Sequence, residues 1–222
     1  MTIDTPSSTE FKSPTALLVG ATGLVGAQCL RLLTQDAAVG AVRVLVRRPL
    51  QVNAAKVEVC VADFERLETH AEWLQADWVF CALGTTIRKA GSQAAFRQVD
   101  FDYPLQVAQL AKAQGAKRFL LVSALGADAR SRVFYSRVKG ELEEAIAAIG
   151  FESVTFARPS LLAGEREEIR LGERLGLKFG WLMPERYRPV QAAQVAQGLV
   201  EAAKRGRPGV HGLNNIELRR LS

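Results

Sequence analysis

Apolar residues recur along this chain in short continuous blocks rather than in strict alternation. The blocks are Ala16–Val19, Val42–Val46, Val57–Val61, Trp78–Leu83, Arg118–Ser123 and Ser153–Ala157. Runs of this length, apolar on both faces, predict strands buried between two layers. Amphipathic stretches lie between most of them, at Leu24–Gln35, Phe64–Leu74, Ala95–Gln114 and Ser136–Ile149. Their apolar positions recur at helical spacing. Gly40, Gly115 and Gly150 stop helices or mark turns. Strand and helix alternate, which predicts an α/β fold: a doubly wound parallel sheet with helices on both faces. After Arg158-Pro159 the pattern changes. Residues 160–188 are rich in Arg, Glu and Gly and predict one helical stretch, and residues 190–204 predict a clear helix. The expected organisation is a tail over residues 1–14 and a single domain over 15–222, with a small C-terminal cap on the substrate side built from 160–222.

Length and composition narrow the class. A chain of 222 residues can bury one large α/β core. No apolar run reaches the roughly 18 residues that a membrane span needs, so no membrane partner is expected. The first fourteen residues carry Asp4 and Glu10 and lack an apolar core, unlike a secretory signal. Cys29, Cys60 and Cys81 are odd in number and lie within apolar segments. They read as small core residues in a reducing compartment, with no metal-binding spacing, and a cytoplasmic protein is expected. The net charge of +6 is not gathered into a long basic run or a basic helical stripe. It fits an anionic small ligand better than nucleic acid.

The first strand runs directly into Gly20-Ala21-Thr22-Gly23-Leu24-Val25-Gly26. Strand, glycine turn and helix are what a dinucleotide pyrophosphate needs. Gly20 permits a tight turn, Gly23 lets the phosphate approach the backbone, and Gly26 lets helix and strand pack closely. The free N–H groups of the first helical turn then face the anion. Such glycine turns also end many ordinary strands, but this one follows the first strand near the chain's start.

The other strand ends supply candidate chemistry. The second ends Val46-Arg47-Arg48-Pro49, where an NAD-specific protein would carry an acid for the ribose. A guanidinium forks well onto phosphate, so Arg47 and Arg48 favour the 2′-phosphate of NADP; an arginine pair also fits a solvated strand end. Asp63, before Phe64, can accept from the adenine amino group and can cap the next helix, and the two roles are not exclusive. The fourth strand ends Ala82-Leu83-Gly84-Thr85, small residues that leave room in the crevice. The basic loop Ile87–Gly91 beyond it reads as a solvated loop or a steering patch. Ser123 ends the fifth strand and can hydrogen-bond a substrate oxygen. Tyr135 and Lys139 are spaced i, i+4, so both lie on one helix face. A lysine ammonium one turn away favours the phenolate and suits Tyr135 to proton transfer. Arg158-Pro159 follow the sixth strand, either beside the nicotinamide or as a plain strand terminator. His70 and His211 have no partner at useful spacing and read as surface or packing residues. Trp73, Trp78 and Trp181 read as core or pocket wall.

The glycine motif, Ser123 and Tyr135-Ser136-Arg137-Val138-Lys139-Gly140-Glu141 resemble the short-chain dehydrogenase/reductase superfamily, whose fold is the Rossmann type. The GxxGxxG form is that of its extended and atypical branches. Cys81–Thr86, Val99-Asp100-Phe101-Asp102-Tyr103 and the Tyr135–Glu141 segment together are similar to the Tat-interacting-protein-like group of atypical NADP-binding oxidoreductases. The resemblance runs from about residue 15 to about residue 210. It implies NADP(H) bound over Gly20, Thr22, Gly23, Leu24, Val25 and Gly26, with Arg47, Arg48, Asp63, Phe64, Ala82, Leu83, Gly84, Thr85, Lys139, Arg158 and Pro159 around it. It implies Tyr135 as acid/base, with Ser123 and Lys139 as helpers, acting on a small carbonyl or alcohol. The Asn-Ala-Gly element of the classical members is absent, and Ala82-Leu83-Gly84 stands in its place. Two other functions stay open: a non-catalytic NADP(H) sensor, which has no need of a proton donor, and a nucleotide-sugar epimerase or dehydratase, which needs a larger lid. A monomer or a homodimer is expected, the latter through the Ala95–Gln114 and Ser136–Ile149 helices.

Overall fold

The computed structural model describes residues 13–163 and 184–221. In chain order the elements are β1 (Thr15–Val19), α1 (Leu24–Gln35), β2 (Ala41–Val46), β3 (Val57–Val61), a 3₁₀ segment (Phe64–Leu74) and β4 (Trp78–Cys81). Then come α2 (Ile87–Ala90), α3 (Gln93–Arg97), a π turn (Gln98–Asp102), α4 (Tyr103–Ala113), β5 (Arg118–Val122), α5 (Phe134–Ala147) and β6 (Ser153–Arg158). The chain closes with β7 (Leu162–Ala163), β8 (Val190–Gln191), α6 (Ala192–Arg205), β9 (Gly209–Asn214) and α7 (Asn215–Arg219).

Seven strands form one sheet in the order β3-β2-β1-β4-β5-β6-β9, all parallel. Side chains alternate across it. Ala16, Leu18, Val42 and Val44 face α1 and α6, whose Val25, Cys29, Leu33, Val195 and Leu199 cover them. Leu17, Val19, Val79 and Leu121 face the other layer, where Phe64, Leu67, Val107, Ala111, Leu142 and Ile146 close the second core. Burial of one such leucine contributes roughly 1.5–3 kcal/mol. The chain winds outward from β1 in both directions, so the connections after β1 and β4 leave to opposite faces. That reversal opens a crevice at the strands' carboxyl ends.

The fold is the doubly wound parallel sheet that the apolar blocks predict, with three local differences. Phe64–Leu74 carries apolar residues at helical spacing, yet it is a run of 3₁₀ turns broken at Arg66 (φ −136°) and His70 (φ −118°). Phe64, Leu67 and Leu74 still reach the core, so burial is satisfied without a regular helix. The expected Ala95–Gln114 helix starts at Gln93 and is interrupted by the π turn. The seventh strand, β9, has only Val210 and Leu213 as bulky apolar residues and lies half-exposed on the edge, so no buried-strand pattern marks it. Of the expected C-terminal region, α6 and β9 rejoin the main domain, while β7 and β8 form a separate small parallel pair. The helical stretch expected before Met183, and Trp181, lie outside the described residues.

Candidate functional site

Every strand end named above faces the same edge, because all the strands run the same way. The glycine turn is the tightest part of it. Gly20 has φ +87°, a conformation that side chains rarely adopt, and a Cβ there would come within 2.5 Å of the Ala82 backbone. A Cβ on Gly26 would meet Gly20 C at 2.7 Å and Ala21 Cα at 3.0 Å. Gly23 differs: its φ is −79°, and its nearest obstacle would be Gly20 O at 3.3 Å. Gly23 is the N-cap of α1, has no side chain to cap it, and no acid stands in the first turn. The first-turn N–H groups of Leu24, Val25 and Gly26 lie at the crevice end of α1 and receive no side-chain cap from Gly23. The helix N-terminus fits an anion there, and of the three glycines Gly23 is the least crowded by backbone.

At the outer end, Arg47 lines a cavity of about 440 Å³ with Val61, Ala62, Asp63, Phe64, Glu65 and Tyr103. Asp63 caps the 3₁₀ segment by accepting from the Glu65 N–H at 3.0 Å, so the capping role is real. Its side chain also lines the cavity. Tyr103 packs edge-on to Phe64, 5.4 Å between ring centres. Burial and the nearby Glu65 push the Tyr103 phenol above its usual range, against a smaller opposing effect of Arg47. Arg48 is exposed and does not line the cavity.

The inner end gathers around Lys139. This residue is 3% exposed, and its Nζ lies 2.7 Å from Asp100 Oδ1. Burial alone would push the ammonium down, but Asp100, with Tyr135 adding to it, raises the pKa above its ordinary value. Asp100 Oδ2 accepts from the Thr85 N–H at 2.8 Å. Gly84 covers the pair: a Cβ there would stand 3.5 Å from Asp100 Oδ1 and 4.0 Å from Lys139 Nζ. Tyr135 lies one turn before Lys139 on α5, half-buried, its ring 5.6 Å from that of Phe96.

Ser123 is 4% exposed and its Oγ has no hydrogen-bond partner among the described residues. A buried hydroxyl without a partner is costly, and such a group at a crevice points to a missing ligand. The loop after Ser123 is pressed onto α5. The Asp128 N–H donates to Ser136 O at 3.1 Å, and a Cβ on Gly140 would come within 2.6 Å of Asp128 Cα. Gly140 therefore lets strand end and helix approach, a role that its place after Lys139 did not disclose. Arg158 is paired: its guanidinium donates to both carboxylate oxygens of Glu143 on α5, at 3.0 Å and 2.5 Å. Pro159 is buried behind it. Asp100 is the residue that spacing missed; its only signal was its place in Val99–Tyr103.

Among the described residues no cluster of three or more His, Cys, Asp or Glu is arranged to hold a metal. The His70 ring meets Thr69 Oγ1 at 2.9 Å, and the His211 ring meets Pro208 O at 2.9 Å. The three cysteines are buried and unpaired, and burial pushes the Cys29 thiol up to about 12 and that of Cys81 to about 11.

The family described as NAD(P)H-binding matches residues 20–205. The protein HTATIP2 of Rattus norvegicus is 37% identical over 180 residues, covering 79% of this chain and 74% of that protein. FMP52-1, named mitochondrial, of Scheffersomyces stipitis is 36% identical over 199 residues, 85% of this chain and 88% of that protein. That name stands apart from the cytoplasmic expectation above. No helix among the described residues is long and apolar enough to cross a membrane. Among solved structures, MoeE5 with UDP-glucose and NAD superposes with a TM-score of 0.71 at 16% identity, over 90% of this chain and 75% of that one. A UDP-glucose 4-epimerase of Thermotoga maritima gives 0.68 at 16% identity, over 90% and 76%. At that identity the likeness concerns the fold alone.

Proposed function

The chain belongs to the NAD(P)H-binding family, within its atypical short-chain dehydrogenase/reductase branch and HTATIP2-like group, and from that premise we propose that it is an NADP(H)-dependent oxidoreductase of a small carbonyl or alcohol. When bound, the nicotinamide supplies or takes the hydride. The residues of this chain do the rest. The Gly20–Gly26 turn receives the pyrophosphate, and Arg47, at the rim of the outer cavity, meets the 2′-phosphate. Lys139 donates to the nicotinamide ribose. Ser123 donates to the substrate oxygen, and Tyr135 gives that oxygen its proton in reduction or removes it in oxidation.

The observation that carries the reading is the unpartnered, buried Ser123 hydroxyl. Its loop packs on the helix that bears Tyr135 and a charged, buried Lys139. A sensor would bind the cofactor without needing a proton donor or a spare hydroxyl.

The test is NADPH oxidation across a panel of aldehydes, ketones and quinones, followed by absorbance. Tyr135→Phe should keep NADPH affinity and lose turnover on the order of 10²–10⁴-fold, the usual worth of a general acid. Full turnover in that variant rules out the mechanism. Tight NADPH binding with no turnover on any of the panel favours the sensor function instead.

A further inference from the structure

We propose that Asp100 is the positioning residue of this site: it holds Lys139 charged and in place for the nicotinamide half of the cofactor and ties it to the β4 loop. The inference rests on the NADP(H) reading above and adds a residue to it.

Asp100 is 1% exposed, and a carboxylate so placed must be paired and hydrogen-bonded to stay ionised. Its two oxygens are divided between two jobs. Oδ1 faces Lys139 Nζ at 2.7 Å, and Oδ2 receives the Thr85 N–H at 2.8 Å. The pair therefore joins α5 to the loop at the end of β4, the two parts that border the inner crevice. Above it, Gly84 has no side chain, so only backbone of the β4 loop lies over the ammonium, which is itself buried. Lys139 keeps donor capacity for a ligand, because an ammonium has three N–H groups.

Local backbone geometry puts Asp100 inward. It lies in the π turn Gln98–Asp102, which holds one residue more than an α turn. Asp100 stands four residues after the buried Phe96, one helical turn on, so it falls on the same inner face. Asp100 is buried, whereas Asp102 is exposed. Interruptions of this kind cost hydrogen-bond regularity, and they recur at functional sites. That inner face brings the carboxylate against Lys139 of α5.

A purely structural ion pair predicts a different outcome from a positioning one, so the experiment separates the cofactor's halves. NADPH and adenosine 2′,5′-bisphosphate, which lacks the nicotinamide ribose, are titrated against the full chain, Asp100→Asn, Lys139→Met and the double variant. Asp100→Asn should weaken NADPH about 10- to 100-fold, the worth of a hydrogen bond from a charged group. It should leave the bisphosphate within about twofold. The double variant should bind NADPH no worse than Lys139→Met alone, since Asp100 acts through Lys139. It removes both charges together, so it serves where Asp100→Asn folds poorly. NADPH binding unchanged in Asp100→Asn overturns the inference, as do equal losses for both ligands or additive losses in the double variant. An unmodified chain that binds no NADPH overturns the cofactor reading, and this inference with it.

Discussion

The three glycines of the α1 turn should fail in different ways when substituted, and Gly23 is the informative one. In Gly23→Val the backbone conformation (φ −79°, ψ 168°) is ordinary for valine. Its Cβ would stand 3.3 Å from Gly20 O and 3.8 Å from Ala82 O, so neighbours need give only a few tenths of an ångström. Replacing glycine at an N-cap by an apolar residue costs about 1 kcal/mol. For a chain of this size that lowers Tm by about 2–4 °C. The valine methyl groups, however, would fill the space that the pyrophosphate must enter. Losing two backbone N–H bonds to a charged group, at about 1.5–3 kcal/mol each, weakens NADPH by at least about 10²-fold. Gly26→Ala is the opposite case. Its Cβ would lie 2.7 Å from Gly20 C and 3.0 Å from Ala21 Cα, backbone atoms that cannot step aside. Overpacking of that kind costs about 3 kcal/mol or more, and stability and binding should fall together. Melting curves and NADPH fluorescence titrations on the two variants decide the matter. Normal NADPH affinity in Gly23→Val, or a Tm loss as large as that of Gly26→Ala, would refute the reasoning.

Other outcomes follow from the rim and from the packing of α1 on α6. Arg47→Asp should weaken NADPH about 10- to 100-fold and leave NADH unchanged or tighter, since a guanidinium is exchanged for an acid where the 2′-phosphate is proposed to lie; equal affinity of the unmodified protein for both cofactors would sink the idea. Asp36 accepts from Lys204 Nζ at 2.8 Å and from the Ala38 N–H at 3.0 Å, and these bonds, Lys204 first, hold its pKa below the ordinary 3.8. A depressed native pKa gives stability that is present above the unfolded value and is lost as pH falls through the native one. Lys204→Ala should therefore cost about 0.5 kcal/mol near pH 7, a modest figure because the lysine is half-exposed, and the difference should vanish near pH 2. A gap of equal size at both pH values would show that the stem of Lys204, not its charge, matters.

Much of this protein was legible in its sequence because the signals are local. A strand buried on both faces must be mostly apolar, so β1, β2, β4, β5 and β6 stood out as blocks, while β3, on the edge with only Cys60 buried, stood out by its valines alone. Positive φ at Gly20 and close backbone approach at both Gly20 and Gly26 demand glycine, so these two marked the crevice. A spacing of i, i+4 puts Tyr135 and Lys139 on one face of any helix that contains them. Tertiary structure decided what depends on residues distant in the chain. Which charge meets the buried Asp100 is decided only when Lys139 arrives on another helix. Arg158, read as a neighbour of the cofactor, meets the Glu143 carboxylate once β6 packs beside α5. Gly140 matters only because the loop after Ser123 lies against it. The β9 segment becomes a strand only because β6 leaves an open edge to pair with. Periodicity reports how a segment meets water and core, whereas pairing of charges and closure of edges are settled only when separate segments meet in space.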